Sequence, residues 1–471
     1  FFFVQAEDGR RAIHVTGVQT CALPILYEDG RGVKRDYEIA AEWYRKAAEQ
    51  GNAEAQNNLG RWYEVEQGDA TAAEWYRKAA KQGNAEAQRS LGSMYTRGSG
   101  VPQDDATAVG WYRKAAEQRD AAAQCDLGWM YAHGCGVARD DVTAAEWYRK
   151  AAEQGNVDAL FHLGVLFAEG RGVALNSAEE EKCLRKAAEK GNAAAQFHLG
   201  WMYEYGCGVK QDDVLAAEWY RKAAVQWDAG AQFHLGRMYA NGLGMARDDV
   251  KAAEWCRMAA EQGNAAAQCD LGWMHANGRG KALDDTKTVE WLRKAAEQGN
   301  ADAQFNLGRM YEYGCGVERD DAKAVQRYRK AAEHGNAASQ NNLGRMYVNG
   351  RGVERDDVKA AEWCRKAAVQ GDSWAQRNLG AMYDDGRGVK RDDRTAVEWY
   401  RKAAEQGNAD ARCNLGRMYE DGRGVAQNDK TAAEWCRKAV EQGNVLAQIF
   451  LGLVYEDGRV LGVNDVKAAE W

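Results

Sequence analysis

The sequence predicts an all-α protein of stacked helix pairs, because it repeats at a fixed period and each repeat has two helical segments. A Leu-Gly dipeptide recurs twelve times in register, at Leu59, at Leu91 and then every 36 residues as far as Leu451. A period of this length is typical of structural units that stack on one another. In each unit, two segments with apolar residues at helical spacing flank a glycine-containing loop. We therefore expect a helix, a turn and a second helix in every unit.

The first segment of each unit carries the Leu-Gly dipeptide, and the positions below are counted from that leucine. Ala at -4, Gln at -3, Gly at +1, Met at +3 and Tyr at +4 recur with it and cover one side of a helix. We expect this side to pack in the core. The glycine at +1, for example Gly308, costs about 1 kcal/mol inside a helix, so it predicts the close approach of a neighbouring helix.

The loop and the second segment carry their own boundary signals. Aspartates such as Asp320 and Asp356 stand where a side chain can cap the second helix. The second helix reads AAEWYRKAAEQ at 40–50, in which we expect Trp43 and Tyr44 to be buried among alanines. A glycine such as Gly51 follows and can end the helix in the left-handed conformation.

Some units depart from this pattern. The unit at Leu59 lacks four loop residues. Arg119 and Trp227 stand where the helix-ending glycine is expected, and Arg327 replaces the tryptophan of a second helix. We expect a local kink or a weak interface at these places, most of all near Arg327, because a stack loosens next to a defect rather than as a whole.

Composition and charge narrow the class of protein. The 471 residues are 45% hydrophobic and 28% charged, and no run of eighteen apolar residues predicts a membrane-spanning helix. The 63 basic and 70 acidic residues are interspersed along the chain and give a net charge of -7. We therefore expect neither nucleic acid nor a membrane as the partner.

The repeated run AxxxLGxxY, then GxGV, then AxxWYRKAAEQG resembles Sel1-like repeats, which are relatives of the tetratricopeptide fold. The resemblance extends from about Tyr27 to Trp471. It implies antiparallel helix pairs stacked into a right-handed superhelical solenoid, with the first helix of each pair on the concave side. It also implies an adaptor or scaffold for other proteins.

The beginning of the chain does not repeat. Residues 15–25, VTGVQTCALPI, resemble a translated sequencing adapter, and they lack the basic and long apolar regions of a signal peptide. We expect a non-native segment at 1–25 and a repeat array of twelve Leu-Gly units at 26–471. The array stops at Trp471 within a second helix, so we expect a fragment truncated at both ends. The cellular compartment, cytoplasmic or periplasmic, and the oligomeric state stay open.

A second side of the first helices varies between units, at -2, -1, +2, +5 and +6, and the resemblance places it on the concave surface. It is rich in aromatic residues and arginine, which dominate interface hot spots. We predict a groove from about the unit of Leu127 to that of Leu307 that binds a protein or peptide. The alternative is that these side chains pack against the neighbouring repeat. The predicted partner-binding residues are Phe161, Phe197, Phe233 and Phe305 at -2, His162, His198 and His234 at -1, and Trp129, Trp201, Trp273, Arg237, Arg309, Arg345 and Arg417 at +2.

Patterns that would indicate a metal, a cofactor or catalysis have simpler interpretations. The three histidines at -1 lie on successive units, whose helix axes are about 8 to 10 Å apart, whereas a zinc ligand lies about 2 Å from the metal. We therefore expect polar groove residues and no metal site. The eleven Gly-x-Gly loops follow a helix and lack the third glycine of a nucleotide-binding loop, so we expect turns and no cofactor. No G-x-S-x-G or H-E-x-x-H motif occurs.

The eleven cysteines include no C-x-x-C motif. They favour free thiols over a disulfide framework, which suits a reducing compartment or a tolerant periplasm. Together these observations predict a non-catalytic adaptor or scaffold. The alternative is the recognition arm of a larger enzyme or signalling protein whose other domain is missing from this sequence.

Overall fold

The computed structural model describes residues 37–66, 68–280 and 284–456. The segment predicted to be adapter-like and the predicted end of the array at Trp471 lie outside these residues. The chain divides into two compact units, one up to Asp228 and one from Ala229 onward. We call these two parts of the chain the first unit and the second unit, and the 36-residue elements within them are called repeats.

The described part of the first unit is built from helices alone. They are α1 (Tyr37–Glu49), α2 (Ala53–Val65), α3 (Asp69–Lys81), α4 (Ala85–Arg97), α5 (Asp105–Glu117), α6 (Ala121–His133), α7 (Asp141–Glu153), α8 (Val157–Glu169), α9 (Ser177–Glu189), α10 (Ala193–Tyr205) and α11 (Asp213–Ala224).

The described part of the second unit follows the same plan. Its helices are α12 (Ala229–Asn241), α13 (Asp249–Glu261), α14 (Ala265–Ala276), α15 (Asp285–Glu297), α16 (Ala301–Tyr313), α17 (Asp321–Glu333), α18 (Ala337–Asn349), α19 (Asp357–Val369), α20 (Ser373–Asp385), α21 (Asp393–Glu405), α22 (Ala409–Asp421), α23 (Asp429–Val440) and α24 (Val445–Glu456).

Even-numbered helices are the first helices of the repeats and odd-numbered helices are the second helices. Within each unit, every helix packs against the helix that follows it. The predicted fold class, an all-α array of helix pairs with 36-residue repeats, is confirmed.

The core lies where the recurring side of the first helices meets the second helices. In α4, Gln88, Leu91 and Met94 are buried as predicted. The glycine at +1 is also explained, because a Cβ atom on Gly308 would lie 2.8 Å from Cδ1 of Tyr328. This close approach of α16 and α17 requires glycine.

The helix boundaries follow the predicted capping signals. The side chain of Asp320 accepts a hydrogen bond of 2.9 Å from the backbone N–H of Lys323, which satisfies a free donor of the first turn. After the second helices the chain turns left-handed, at Gly51 with φ 91° and also at Arg119 and Trp227 with φ 67° and 68°. The two non-glycine residues therefore adopt the conformation that the pattern predicts.

A ladder of glutamine side chains joins neighbouring repeats. The buried side chain of Gln124 donates from Nε2 to the carbonyl of Ala116 over 3.0 Å, and its Oε1 accepts from Nε2 of Gln154 over 2.7 Å. One side chain thus connects α5, α6 and the end of α7. The same two bonds occur at Gln56, Gln88, Gln196, Gln268, Gln340 and Gln376.

Arg327 takes part in the same ladder. Its Nη1 donates to Oε1 of Gln304 over 3.3 Å, at the place where most repeats use a glutamine from the end of the second helix. That position holds His334 in this repeat. The connection between the helices is therefore kept, although Nε of Arg327 is buried without a partner.

Among the tryptophans of the second helices, Trp43 is less buried than predicted. Tyr44 is buried, but Trp43 is only half-buried, and the ammonium group of Lys46 lies 4.6 Å from its ring centroid. Because Lys follows Trp by three residues, both lie on one side of the helix, and the lysine covers the ring.

None of the described helices is long and apolar enough to cross a membrane.

Candidate functional site

The variable face is the side of the first helices that carries positions -2, -1, +2, +5 and +6. Three of its tryptophans, Trp129, Trp201 and Trp273, have 37%, 40% and 46% of their surface open to solvent. They occupy position +2 in alternate repeats. The ring of Trp129 stacks on His133 at 4.3 Å, and Trp201 lies 5.4 Å from Tyr205. Residues one helical turn away thus support these two indoles while leaving them exposed.

The phenylalanine and histidine positions of the first unit are half-buried between repeats. The ring of Phe161 lies 5.4 Å from His162 and 5.5 Å from His198 of the next repeat, and His162 stacks on Tyr148 at 5.1 Å. Phe197 lies 5.8 Å from His198. At -2 and -1, therefore, the alternative of packing against the neighbouring repeat describes the geometry.

Burial also decides the charge of these histidines. It lowers the pKa of both His162 and His198 below the usual value, because an imidazolium would lose its hydration there. Both rings are neutral at pH 7. They supply hydrogen-bonding atoms to the variable face without supplying charge.

In the second unit, arginines lie beside the phenylalanines. The ring of Phe233 is 5.4 Å from His234 and 5.7 Å from the guanidinium of Arg237. Arg309 lies 6.0 Å from the ring of Phe305 in the same way. The phenylalanines are half-buried and both arginines are exposed, so the apolar rings hold the guanidinium groups at the surface.

Arg345 and Arg417 share a register and differ in environment. Nη2 of Arg345 donates to both carboxylate oxygens of Glu312, over 2.7 and 3.0 Å, and this carboxylate also accepts the hydroxyl of Tyr328 over 2.7 Å. Arg345 therefore has a structural partner already. Arg417 is exposed, and its side chain makes no ion pair within the described residues.

A cleft of about 310 Å³ brings Trp273 and Arg309 together on the variable face of the second unit. It opens between α14, α15 and α16. Its floor includes Ala276, Leu292 and Met310, and further lining residues are Asn277, Asp285, Thr288, Asn306, Tyr313 and Cys315. The guanidinium of Arg279 lies 5.2 Å from the ring of Trp273. Of the fourteen predicted residues, Trp273 and Arg309 line the cleft.

Sequence reasoning missed several residues of this face. Tyr205 and Tyr313, both at +6, are 50% and 58% exposed. Asp126 at -1 is largely buried, and burial raises its pKa to about 6. The two tyrosines were visible in the sequence at a variable position, but the burial of Asp126 depends on the side chains packed over it from neighbouring repeats.

Side chains that can ligate a metal, thiols among them, are spread over the described repeats. No group of three His, Cys, Asp or Glu side chains in the described ranges lies close enough to hold a metal ion. The ten cysteines of these ranges are free thiols, and seven of them are buried. Burial raises the pKa of thiols such as Cys125 and Cys256 to about 12, so they stay protonated and act as small apolar side chains.

Thirteen segments of the chain match the Sel1 repeat family. They are residues 21–52, 53–84, 85–120, 121–156, 157–192, 193–224, 229–264, 265–300, 301–336, 337–372, 375–408, 409–444 and 445–471. A comparison with curated proteins finds no match.

Two solved structures are similar to the chain. One is a protective antigen present in uropathogenic Escherichia coli strains that displays an SLR fold, with 39% identity over 91% of this chain and 92% of that chain and a TM-score of 0.81. The other is a Sel1 repeat protein from Oxalobacter formigenes, with 34% identity over 67% of this chain and 93% of that chain and a TM-score of 0.51. Proteins of this repeat class are typically interaction scaffolds and typically non-enzymatic. Since the repeats match almost throughout and the helix pairs recur with them, the chain belongs to the Sel1 repeat family.

Proposed function

We propose that the protein is a non-catalytic scaffold or adaptor that binds a protein or peptide through its variable face, on the concave side of the solenoid. The observation that carries this proposal is the exposure of indoles at one register in each unit, Trp129 and Trp201 in the first unit and Trp273 in the second. Exposed tryptophan is costly in water and is enriched where binding energy concentrates. Exposed indoles at the same register in each unit support a contact surface there.

The half-buried aromatic residues between the indoles support the same proposal. Phe161 and His162 belong to the repeat between those of Trp129 and Trp201, and Phe161 packs against His198 of the next repeat. Because these side chains are already fixed, less conformational entropy is lost when a partner binds. We therefore assign direct partner contact to the indoles at +2, and assign positioning to the residues at -2 and -1.

The titratable groups of this face favour binding over catalysis. His162 and His198 are buried against aromatic rings with their pKa values lowered by burial. A general base is oriented by a hydrogen-bond partner, whereas the ring contacts of these two half-buried side chains are with aromatic residues. If the chain is the recognition arm of a larger enzyme or signalling protein, the same face selects the partner.

The proposal is tested with peptides selected on the wild-type chain from a random 12-residue library. The Kd of selected peptides is measured by fluorescence anisotropy for the wild type and for the double variant Trp129→Ala and Trp201→Ala. We expect a loss of about tenfold or more, since hot-spot residues cost over 1 kcal/mol each. Circular dichroism should stay unchanged, because both side chains are exposed.

The matched control is Trp227→Ala, which removes an indole that is 67% exposed and lies outside the variable face. This variant should bind the selected peptides within about twofold of the wild type. Equal losses in the control and the double variant, or unchanged affinity in the double variant, would refute the assignment of the face.

A further inference from the structure

A tyrosine and an acidic residue fill the space beneath the variable face in several repeats. The hydroxyl of Tyr328 donates to Glu312 over 2.7 Å, 16 residues earlier in the chain. Tyr220 bonds Glu204 at the same separation over 2.6 Å. In each case the ring of a tyrosine from the second helix packs with the carboxylate of an acid at +5 of the first helix. We call such a hydrogen-bonded pair a plug.

An arginine from the next repeat completes the plug at Glu312. Arg345, at +2 of the following first helix, donates to this carboxylate over 2.7 Å. The three residues Tyr328, Glu312 and Arg345 thus form a triad in which the ring fills the interior and the arginine neutralises the buried acid.

One repeat earlier, two members of the triad are replaced. The residues 36 positions before Tyr328, Glu312 and Arg345 are Leu292, Ala276 and Arg309. The ring and the carboxylate are absent and only the arginine remains. The cleft of about 310 Å³ opens at this place, with Leu292 and Ala276 in its lining and Arg309 beside it.

We propose that this cleft takes an aromatic side chain of a bound peptide, with a carboxylate of the adjacent peptide residue on Arg309. The peptide then supplies the two groups that the neighbouring repeat supplies from its own chain. This proposal rests on the proposed function, which it deepens by naming the chemistry of the partner: a peptide segment with an acidic residue next to an aromatic one.

The walls of the cleft suit an aromatic ring. Trp273 and Tyr313 both line it and are 46% and 58% exposed. Aromatic rings gain from offset or edge contacts with one another beyond the area they bury. On the apolar floor, Leu292 faces Gly272 as the phenol ring of Tyr328 faces Gly308 in the neighbouring repeat.

The charges of the cleft suit a peptide with an acidic residue. Arg309 makes no ion pair among the described residues, whereas Arg345 at the same register does. A guanidinium binds a carboxylate with two parallel hydrogen bonds. The exposed position of Arg309 lets a solvent-borne carboxylate reach it.

The cleft also holds one acid, Asp285. In four of the described repeats the aspartate at this register pairs with an arginine in the loop of the next repeat, as Asp321 does with Arg351 over 2.9 Å. Cys315 stands in place of that arginine next to Asp285. Its carboxylate is therefore an acceptor for a backbone N–H of the peptide, which would orient the chain across the cleft.

The test uses three fluorescein-labelled peptides with Gly-Ser flanks and blocked termini, containing Glu-Phe, Gln-Phe or Glu-Ala at the centre. The wild type should bind the Glu-Phe peptide at least about tenfold more tightly than either of the others. The double variant Leu292→Tyr and Ala276→Glu rebuilds the plug from the protein's own side chains. It should lose saturable binding of all three peptides, while its unfolding midpoint stays equal to or above that of the wild type.

Two single variants separate the ring from the charge. Arg309→Ala should weaken the Glu-Phe peptide to the affinity of the Gln-Phe peptide and leave the Gln-Phe peptide unchanged. Leu292→Tyr should weaken both peptides that contain phenylalanine. Equal binding by the plugged double variant and the wild type, or no preference of the wild type for Glu-Phe, overturns the proposal. The library-selected peptides that depend on Trp129 and Trp201 should still bind the plugged variant, so failure of the cleft is distinguishable from failure of the scaffold function.

Discussion

Arg345 and Glu312 belong to neighbouring repeats and form an ion pair of 2.7 Å in which the carboxylate side chain is completely buried. Tyr328 and Arg351 also contact this carboxylate, over 2.7 and 3.2 Å. A buried charge needs all of its hydrogen bonds, because each one that is lost leaves desolvation uncompensated. The pair is therefore part of the connection between α16 and α18, although sequence reasoning assigned Arg345 to partner binding.

We predict that Arg345→Ala lowers the free energy of unfolding by about 1.5 to 3 kcal/mol, the range for hydrogen bonds to charged groups. The measurement is urea unfolding followed by circular dichroism. Arg417→Ala is the matched control, because it removes an exposed arginine at the same register, and it should change stability by less than about 0.5 kcal/mol. Equal effects of the two substitutions would show that the ion pair contributes no stability.

The turn after α5 contains an arginine in the left-handed conformation. Arg119 has a φ of 67° and an exposed side chain. Non-glycine residues pay strain in this region, about 1 to 3 kcal/mol, and glycine does not, although it loses more backbone entropy on folding. We predict that Arg119→Gly raises the free energy of unfolding by about 1 kcal/mol. The reverse change at an equivalent turn, Gly191→Arg, should lower it by a similar amount in the same urea measurement.

The helices were predictable from the sequence because their determinants are local. The periodic core positions, caps such as Asp320 and turn residues such as Arg119 act within a few residues, and each has the predicted conformation. The variable face was predictable as a set of positions and less so residue by residue. All its positions lie on one side of the helix, but whether Phe161 or Trp129 is exposed depends on the neighbouring repeat.

The glutamine ladder needed the structure because it joins distant residues. The bond from Gln154 to Gln124 spans 30 residues, and no local pattern predicts it. The cleft at Leu292 and Ala276 is an intermediate case between features that a local pattern predicts and features that only the structure shows. It could have been found in the sequence by comparing residues 16 apart, since Tyr328 and Tyr220 each pair with a glutamate at that separation.

The cysteines allow a test of the side-chain packing in both units. Cys207 and Cys315 are exposed, whereas Cys125 and Cys256 are buried with their pKa raised to about 12. Only the thiolate reacts with maleimides, so we predict that N-ethylmaleimide modifies Cys207 and Cys315 in the native protein. The two buried thiols should react only after unfolding in urea. Peptide mapping by mass spectrometry measures both, and native labelling of Cys256 at the rate of Cys207 would contradict the packing of α13.

Asp126 should make stability depend on pH. Burial is the main cause that raises its pKa from 3.8 to about 6, and Asp120 and Asp158 raise it further while Arg89 lowers it. The folded state therefore holds a proton that the unfolded state releases at lower pH. The free energy of unfolding falls as the pH rises from about 4 to about 6, because the carboxylate of the folded protein then ionises in a place where burial deprives it of hydration.

We predict that Asp126→Asn removes this pH dependence. Asparagine is the residue at the same register in other repeats, at Asn306 and Asn342, so the amide fits this part of the fold. At pH 7.5 the variant should be more stable than the wild type by about 1 to 2 kcal/mol, less than the full shift implies since the site is partly solvated. Near pH 4 the two proteins should unfold at the same urea concentration. A variant that is less stable than the wild type at pH 7.5 would mean that the ionised carboxylate is stabilised by Arg89 more than burial destabilises it.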